Sequence, residues 1–434
     1  MKSNRETHRY KKSEEQLKRA EQTIPLGSQT FSKSRTQYPV GISPLYAVRA
    51  KGAEIWDIDG NVYIDLVSSL ASITLGYDEP EVNRAVRKQL RSGVSLSLPA
   101  KIESEVSELI VEMVPSAEMV RFGKNGSDAT SAAVRLARAF TGRDHIIVCG
   151  YHGWQDWSIG STTRNKGVPE IVSSLTQKFE YNSIESLRQC LESLHNKVAA
   201  VILEPMNSTY PNTGFLRSVK DMAHEAGALL IFDETITGFR YAKGGAQEFF
   251  AVTPDLSTFG KGMANGFPLS AVVGRRDVMM EMEEIFFSGT FGGELLSLAA
   301  AKVVLQRHLR EDVCGALALA GQQLSDKAEN IADQSGLESV LSFSGHPSWR
   351  FLNWSATERF TVEQIKTFFM QEMFKRGVLV LATHNTTLAH TPKINQKVIE
   401  VYSEVLSELH HAIESDTLDH KLLAKPLKPL FKIR

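Results

Sequence analysis

Short runs of apolar, mostly β-branched residues alternate with helical patterns from about Glu54 onward, and this alternation constrains the fold more than any other feature of the chain. It is typical of βα units that stack into a mostly parallel sheet, so the sequence predicts an α/β fold. Ligands of such sheets bind beyond the carboxyl ends of the strands, and the residues that follow each run are therefore the first candidates for chemistry. The runs are HIIVC (145–149), VAAVILEP (198–205), ALLIFDE (228–234), LSTFGK (256–261) and LSAVVG (269–274).

The length and the charge balance narrow the classes of function. A chain of 434 residues is long enough for a large domain and a smaller one, each with its own apolar core. Its 49 Lys and Arg against 50 Asp and Glu leave a formal net charge of −1, so no overall field draws the protein to nucleic acid or to an anionic membrane. The composition therefore favours a small-molecule partner.

The cysteines and histidines give no sign of a disulfide framework or a metal site. Cys149, Cys190 and Cys314 are widely spaced and form no CxxC pair, and the 12 histidines contain no HExxH motif. The N-terminal segment MKSNRETHRYKKSEEQLKRA is dense in charge and lacks the apolar core of a secretory signal. No later stretch reaches the roughly 18 uninterrupted apolar residues of a membrane span. We therefore expect a metal-free cytoplasmic protein.

The segment RFGKNGSDATSAAVRLARAFTGR (121–143) carries the first candidate binding motif. Its apolar residues recur at helical spacing and Gly142 follows as a natural stop, so the turn of Asn125, Gly126 and Ser127 is expected at a helix N-terminus. Free N–H groups and the positive end of the helix dipole suit such a turn to an anion, and the Ser127 hydroxyl adds a donor. An ordinary helix cap is the alternative.

Two charged residues follow two of the apolar runs. Asp233 ends the run ALLIF, and an anionic Asp at a strand end is what keeps the ring nitrogen of pyridoxal 5′-phosphate (PLP) protonated. Lys261 follows LSTFG and precedes the Gly-rich loop GMANGFP, where desolvation would lower its pKa and favour imine formation with an aldehyde. For Asp233 alone, a structural capping residue is the alternative. For Lys261 alone, the alternative is a lysine exposed to solvent. Together with the anion-binding turn, Asp233 and Lys261 supply the three anchors that this cofactor requires.

Two further segments fit a cofactor site. Tyr151 and His152 follow the strand HIIVCG, where an aromatic ring can stack on the cofactor, although edge packing is an equal alternative. Ser288, Gly289 and Thr290 open a Gly-rich segment before the helical pattern LLSLAAAKVVL. Thr290 can donate a hydrogen bond to a phosphate there, and a helix cap is the alternative.

The chain resembles the class III aminotransferases from about Gly52 to Pro392, in particular the branch that contains glutamate-1-semialdehyde 2,1-aminomutase. Its most specific piece is LLIFDETITGFRYAKGGAQEFFAVTPDLSTFGKGMANGFPLSAVVGRRDVM (229–279), which is similar to the aspartate-to-lysine core of that branch almost residue by residue. Supporting segments are GAEIWDIDGNVYIDLVSSLASITLGY (52–77), VRFGKNGSDATSAAVRLARAFTGR (120–143), YHG (151–153), LEP (203–205) and LAHT (388–391).

This resemblance implies the fold of aspartate aminotransferase, which is fold type I of the PLP-dependent transferases. It also implies a homodimer whose active sites lie at the interface. The expected parts of the chain are an N-terminal arm with part of the small domain (1–54), a large PLP-binding domain (55–310) and a C-terminal small domain (311–434). The closing segment KPLKPLFKIR (425–434) is expected to be a solvated tail without a function.

Carried over position by position, the resemblance assigns roles to the candidate residues. Lys261 matches the Schiff-base lysine, which also moves the proton between substrate and cofactor, and Asp233 matches the partner of the pyridine nitrogen. The other matches are contacts to the cofactor: Asn125, Gly126 and Ser127 in the phosphate turn, Tyr151 and His152 beside the ring, Asn207 near the ring hydroxyl, and Thr290 at the phosphate of the neighbouring subunit's cofactor.

Some positions depart from the family pattern. Asn125 stands where the phosphate turn usually begins with Ser, and Glu294 stands where an amide residue is commoner, which indicates a changed substrate side or gate. Trp154 and Trp157 beside the cofactor loop suit an apolar or sugar-like substrate face, with simple packing as the alternative. Arg35 lies where the family places a carboxylate contact, and an exposed arginine of the arm is the alternative.

We therefore expect a PLP-dependent aminotransferase that transfers an amino group between an amino donor and a keto or aldehyde acceptor through a Lys261 Schiff base. An intramolecular 1,2-aminomutase is the alternative, because GSTTRNKGVPE (160–170) lies where the resembled aminomutase has a gating loop. The presence of Lys261 disfavours a catalytically silent cofactor-binding protein. The sequence leaves the substrate open among amino acids, β-amino acids and keto sugars.

Overall fold

The computed structural model describes residues 9–427; residues 1–8 and 428–434, which include most of the predicted basic tail, lie outside the described part. Pro80–Gly315 forms one compact unit, and the described parts of Met1–Glu79 and Ala316–Leu430 form a second. Between residues 9 and 427, no helix is both long and apolar enough to cross a membrane.

The strands of the described residues are numbered in chain order. They are β1 (Ala47–Lys51), β2 (Glu54–Asp57), β3 (Val62–Asp65), β4 (Met119–Gly123), β5 (His145–Cys149), β6 (Thr176–Lys178), β7 (Val198–Leu203), β8 (Leu229–Asp233), β9 (Leu256–Phe259), β10 (Ser270–Gly274), β11 (Leu341–Ser344), β12 (Trp349–Trp354), β13 (Val378–Leu379) and β14 (Thr383–Asn385).

The helices are numbered in the same way. They are α1 (Lys11–Ala20), α2 (Pro80–Leu90), α3 (Lys101–Met113), α4 (Gly126–Thr141), α5 (Asp156–Ile159), α6 (Glu170–Ser173), α7 (Ile184–Ser193), α8 (Phe215–Glu225), α9 (Ala246–Phe249), α10 (Arg276–Met279), α11 (Leu295–Arg310), α12 (Val313–Gln334), α13 (Val362–Lys375), α14 (Pro392–Glu414) and α15 (Leu418–Lys421). Short 3₁₀ helices lie at Pro25–Gly27, Phe31–Lys33, Lys261–Ala264 and Met280–Glu283, and Ser68–Ala71 forms a helical turn with positive φ angles.

Pro80–Gly315 is built on a seven-stranded sheet with the strand order β4-β10-β9-β8-β7-β5-β6. Neighbouring strands from β9 to β6 pair in parallel, whereas β10 runs antiparallel to both β4 and β9. The predicted α/β fold with a mostly parallel sheet is confirmed. The strands coincide with the apolar runs because a parallel strand that is buried on both faces needs a continuous apolar sequence.

The two faces of this sheet bury separate apolar clusters. On one face, Ala133 and Leu136 of α4 share a cluster with Ile231 of β8. On the opposite face, Val219 of α8 shares a cluster with Leu230 of the same strand. Each fully buried Leu, Ile or Val stabilises the fold by about 1.5–3 kcal/mol, so this packing fixes the strands and the residues at their ends.

The second unit contains two smaller sheets, with the orders β1-β2-β3-β13 and β11-β12-β14. In the first sheet β3 pairs in parallel with β13, which places Ile64 opposite Val378. This pairing explains why residues 55–79, which the sequence analysis assigned to the large domain, group with the C-terminal chain. The division into a cofactor domain and a small domain stays a prediction.

Candidate active site

Three charged residues follow three adjacent strands at one edge of the central sheet. Glu204 comes directly after β7, Asp233 is the last residue of β8, and Lys261 lies just beyond the end of β9. These strands are neighbours and run parallel, so their carboxyl ends open at the same edge, where ligands of such sheets bind. The sequence analysis singled out Asp233 and Lys261 and missed Glu204.

Lys261 has a strained backbone and a perturbed amine. Its φ of +41° lies in the left-handed region, which costs a residue other than glycine about 1–3 kcal/mol and is typical of functional sites. Burial lowers the pKa of its amine to about 8, although the carboxylates of Glu204 and Asp233 raise it. At pH 7 about a tenth of such an amine is neutral, against about 0.03% for an ordinary lysine. Lys261 is therefore a nucleophile near neutral pH.

Asp233 is 5% exposed, and its carboxylate accepts four hydrogen bonds. Oδ2 lies 2.9 Å from Nδ1 of His152. Oδ1 accepts from the backbone N–H of Thr235 at 3.1 Å, the Thr235 hydroxyl at 2.6 Å and the Thr258 hydroxyl at 3.1 Å. Burial by itself would raise the pKa of Asp233, but these donors, His152 foremost, hold it below its ordinary value. Asp233 is therefore an ionised carboxylate suited to face a cation.

His152 is buried and connects Asp233 to β5, the strand that precedes His152 in the sequence. Its Nδ1 faces Asp233, and its Nε2 lies 3.2 Å from the backbone carbonyl oxygen of Cys149. Its ring stacks on Trp157 with a centroid distance of 6.4 Å and an interplanar angle of 8°. Trp157 is itself buried and donates its Nε1–H to Ser131 Oγ at 2.9 Å. Trp157 thus packs against His152 and orients it, and His152 in turn orients Asp233.

The turn of Asn125, Gly126 and Ser127, predicted to bind an anion, lies at the N-terminus of α4. Asn125 is the N-cap residue, and its backbone N–H donates to Asp128 Oδ2 at 2.8 Å. The first N–H groups of a helix, here including those of Gly126 and Ser127, have no partner within the helix. They point outward with the positive end of the helix dipole, so the turn presents donors to an anion.

Two glycines let the loops around this turn approach each other closely. A Cβ on Gly126 would lie 2.9 Å from Cγ2 of Thr235, and one on Gly153 would lie 2.4 Å from Oγ of Ser127. Gly153 also has a φ of +112°, which a side chain disfavours. Oγ of Ser127 accepts the backbone N–H of Trp154 at 3.3 Å. The turn therefore packs directly against the loops that carry His152 and Asp233.

Glu204 and Asn207 form the part of the site that the sequence revealed least. Nδ2 of Asn207 lies 3.2 Å from Oε1 and 3.1 Å from Oε2 of Glu204, and donates to this carboxylate. Burial and the charge of Asp233 raise the pKa of Glu204. The available signal was its position in the LEP segment, directly after an apolar run.

The remaining candidate residues are more exposed. Tyr151 is 39% exposed and Trp154 64%, and Thr290 also lies at the surface of its unit. Arg35 is exposed and pairs with Glu21 at 2.6 Å, which agrees with an arginine of the N-terminal arm.

Glu294 caps a helix. Its carboxylate accepts the backbone N–H groups of Leu296 at 2.7 Å and Ser297 at 3.2 Å, at the start of α11. It also pairs with Lys124 at 3.1 Å, beside the anion-binding turn. The departure from the family pattern at this position is therefore used to cap α11 and to join it to the loop before α4.

Comparisons with known proteins agree with this arrangement. The family model for aminotransferase class-III matches residues 37–413, so the chain belongs to the class III aminotransferase family. It is 38% identical over 376 residues to a glutamate-1-semialdehyde 2,1-aminomutase of Syntrophobacter fumaroxidans, covering 80% of this chain and 86% of that protein. It is 31% identical over 400 residues to a 3-aminobutyryl-CoA aminotransferase of Cloacimonas acidaminovorans, covering 90% of this chain and 95% of that protein.

Solved structures give the same picture. The FumI protein of Sphingopyxis sp. MTA144 in its PLP internal aldimine form superposes with a TM-score of 0.87 at 28% identity, covering 95% of this chain and 98% of that one. An omega-transaminase from Sphaerobacter thermophilus superposes with a TM-score of 0.83 at 25% identity, covering 92% of this chain and 99% of that one. The expected fold type I is thereby confirmed.

Proposed function

We propose that this protein is a PLP-dependent aminotransferase that transfers an amino group from an amino donor to a keto or aldehyde acceptor. The observation that carries the proposal is the meeting of Lys261, Asp233 and the N-terminus of α4 at one edge of one sheet. Membership in the class III aminotransferase family supports it. The predicted PLP-binding domain is 55–310, and the compact unit Pro80–Gly315 contains all of the proposed cofactor contacts.

The residues present fit PLP. The free N–H groups at the start of α4, with the Ser127 hydroxyl, would hold the phosphate, and the close approach at Gly126 leaves room for no larger residue. Asp233 would face the ring nitrogen, and Tyr151 and Asn207 would contact the ring face and the ring hydroxyl. When bound, the cofactor supplies an aldehyde carbon for the amine and a ring that withdraws electrons from the substrate carbon.

Lys261 has the properties of the group that holds the cofactor and moves a proton. With its pKa lowered to about 8 by burial, its amine gains and loses a proton close to neutral pH. The left-handed backbone at this residue directs the start of the side chain, and the amine is close enough to Asp233 and Glu204 for both carboxylates to raise its pKa.

Asp233 would keep the ring nitrogen protonated by remaining negative. Four donors already hold its carboxylate in place, which fixes the orientation and leaves the charge available to a cation. His152 acts through Asp233, as its Nδ1 faces Oδ2 at 2.9 Å.

The active form would be a homodimer in the cytoplasm. The proposed contact of Thr290 is the phosphate of the neighbouring subunit's cofactor. Such a residue must be exposed in the single chain, and Thr290 is exposed. Phe286 and Phe291, on either side of Thr290 in the sequence, are 82% and 59% exposed, as expected of an apolar surface that a partner covers. The three free cysteines, Cys149, Cys190 and Cys314, support a location in the reducing cytoplasm.

Absorption spectra of the purified protein test the proposal. PLP is added to the wild type and to Lys261→Ala, and spectra are recorded before and after a panel of amino acids and amines. We expect a visible band that depends on Lys261 and gives way to the pyridoxamine band with productive donors. Turnover in Lys261→Ala should fall at least about 1,000-fold. A band that forms equally well without Lys261, or a bound cofactor that no donor converts, would contradict the proposal.

An intramolecular 1,2-aminomutase is the second candidate. The 38% identity to the aminomutase of Syntrophobacter fumaroxidans favours it, since the same anchors serve both reactions. An aminomutase isomerises a single substrate, whereas an aminotransferase needs both an amino donor and a separate acceptor. Multiple turnovers of an amino aldehyde by the cofactor-loaded protein with no second substrate would therefore identify an aminomutase, and a strict requirement for an added acceptor would identify an aminotransferase.

A further inference from the structure

We propose that Glu294 is a positioning residue: its ion pair with Lys124 holds the turn of residues 125–127 in the arrangement that receives the phosphate of PLP. This role rests on the proposed function, because it concerns the same cofactor. The departure of Glu294 from the family pattern indicated a changed substrate side or gate, whereas its carboxylate contacts the segment that leads into this turn.

The ion pair between Lys124 and Glu294 is mostly withdrawn from solvent. Nζ of Lys124 lies 3.1 Å from Oε2 of Glu294, and the two side chains are 19% and 13% exposed. Water and salt screen such a pair less than an exposed one, so it restrains the two segments more firmly. Lys124 directly precedes the turn, and Glu294 directly precedes α11. The pair therefore ties the entry of one helix to the start of another.

Glu294 is a rigid partner because its carboxylate is already bound to α11. Oε1 accepts the backbone N–H of Leu296 at 2.7 Å, and Oε2 accepts the backbone N–H and the hydroxyl of Ser297 at 3.2 and 2.6 Å. Burial by itself would raise the pKa of Glu294, but these donors and Lys124 hold it below its ordinary value, so the carboxylate stays ionised. Leu295, the first residue of α11, is buried. Glu294 is thereby anchored to a packed helix.

Lys124 is held at its backbone as well as at its side chain. The backbone N–H groups of Lys124 and Asn125 both donate to Asp128 Oδ2, at 3.0 and 2.8 Å. Asp128 lies in the first turn of α4, so these bonds fasten the backbone before the helix to α4 itself. The side chain of Lys124 extends from the same point to Glu294. The residues that enter the turn are therefore bonded to both α4 and α11.

Two close approaches leave little freedom between these segments. A Cβ on Gly292, two residues before Glu294, would lie 3.3 Å from the backbone oxygen of Phe122 in β4. A Cβ on Gly123 would lie 3.4 Å from Cζ of Phe287. The chain before α11 and the chain before α4 thus pack against each other, and the ion pair adds a charged contact to this packing.

The position of the turn matters for the phosphate rather than for the rest of the cofactor. The N–H groups of Gly126 and Ser127 have no partner within the helix, and they bind a phosphate well only if they converge on it. Holding them in that arrangement in advance avoids an ordering cost when the ligand binds. Lys261 and Asp233, which would hold the aldehyde carbon and the ring nitrogen, lie at strand ends. Loss of the ion pair should therefore weaken binding of the phosphate group selectively.

The binding of PLP and of pyridoxal, which lacks the phosphate, tests this role. Fluorescence titration of the cofactor-free full-length protein gives both dissociation constants for the wild type, Lys124→Met, Glu294→Gln and the double variant. Lys124→Met leaves the α11 cap intact, and Glu294→Gln keeps an oxygen for the cap. Lys302→Met is the matched control, because it breaks a comparable ion pair with Glu105, at 2.7 Å, that joins α11 to α3. Thermal unfolding followed by circular dichroism verifies that each variant is folded.

We expect Lys124→Met and Glu294→Gln each to raise the Kd for PLP by about 3–10-fold and to leave the Kd for pyridoxal within about twofold of the wild type. The double variant should bind PLP no more weakly than the weaker single variant, because both substitutions break the same pair. Lys124→Arg, which keeps the charge, should restore the wild-type affinity, and Lys302→Met should bind both ligands as the wild type does. If either single variant does not fold, the other carries the test with the same expected ratio of the two dissociation constants.

Equal losses of affinity for PLP and pyridoxal, losses that add in the double variant, or an unchanged affinity for PLP in either folded single variant would overturn the role of Glu294. Each of these results would leave the proposed function untouched, because the wild type would still bind PLP. A wild type that binds no PLP would instead remove the proposed function and, with it, this role.

Discussion

Asp233 and Glu204 end neighbouring strands at the same edge of the same sheet, yet their carboxyl groups behave in opposite ways. Burial by itself raises the pKa of both. Asp233 accepts hydrogen bonds from His152, Thr235 and Thr258 and its pKa falls, whereas Glu204 has Asn207 as its donor and its pKa rises. The number and kind of donors, together with the charge of Asp233 that acts on Glu204, therefore give the two buried carboxyl groups opposite pKa shifts.

The difference matters because a permanent anion is needed opposite a protonated ring nitrogen. Asp233, whose pKa is lowered, is suited to this task, whereas Glu204, whose pKa is raised, is less so.

The largest loss is expected when the permanent anion is removed. Asp233→Asn should lower kcat/KM by about 100–1,000-fold, because the ring nitrogen loses the charge that stabilises its protonated form. Glu204→Gln should lower it by less than about threefold, because loss of the Glu204 anion lowers the pKa of Lys261 and leaves more of its amine neutral at pH 7. Steady-state kinetics with one productive donor measure both, with Asp221→Asn on the surface of α8 as the control. Equal losses in the two variants would abolish the distinction between the carboxylates.

The second effect concerns the turn that sets the cofactor against Asp233. In Gly153→Ala the new Cβ would lie 2.4 Å from Ser127 Oγ, and this overpacking should displace the turn at a cost of about 1–3 kcal/mol. PLP affinity, measured by fluorescence titration, should fall about tenfold or more. Gly142→Ala at the other end of α4 is the control, since its Cβ meets no atom within 4 Å and only its φ of +66° is strained. Gly142→Ala should lower the stability of the protein without changing its affinity for PLP. A loss of PLP affinity in this control would show that the effect comes from α4 as a whole rather than from the turn at its start.

The smallest effect is a shift in the pH profile. His152→Phe removes the strongest donor to Asp233, so the pKa of Asp233 rises and the acid limb of kcat/KM should move up by about one pH unit. In the wild type the pKa of Asp233 is lower in the folded protein than the value of 3.8 expected for the unfolded chain. The ionised carboxylate therefore stabilises the fold above pH 3.8, and this stabilisation is lost as the pH falls through the pKa of the folded state. His195→Phe, exposed before β7, should leave the limb in place. An unmoved limb in His152→Phe would show that the threonines alone hold Asp233 ionised.

The sequence predicted the central sheet and two of its three charged strand ends because these features are local. Buried parallel strands need continuous apolar runs, and Asp233 and Lys261 stand directly after such runs. The helix that begins at Gly126 was equally visible from its apolar spacing and its terminal glycine. Candidate residues at strand ends and helix starts can therefore be found without a structure.

Features that depend on pairing between distant segments could not be predicted. Glu204 becomes a neighbour of Asp233 only through the register of β7 and β8, and residues 55–79 join the C-terminal chain only through the pairing of β3 with β13. The contact between His152 and Asp233 likewise joins residues that are far apart in the sequence. The stacking of Trp157 on His152 joins a short helix to the loop before it. Glu294 caps its own helix through local contacts, but its ion pair with Lys124 joins two distant segments and could not be predicted from the sequence.

The covalent attachment point of the cofactor is the most direct test of the proposed site. The protein is loaded with PLP, reduced with sodium borohydride and digested, and mass spectrometry locates the lysine that carries the phosphopyridoxyl group. We predict that this group is found on Lys261, and that the Lys261→Ala variant carries none. A phosphopyridoxyl group on another lysine, or no stable adduct on the wild type, would contradict the assignment of Lys261 and with it the proposed aminotransferase site.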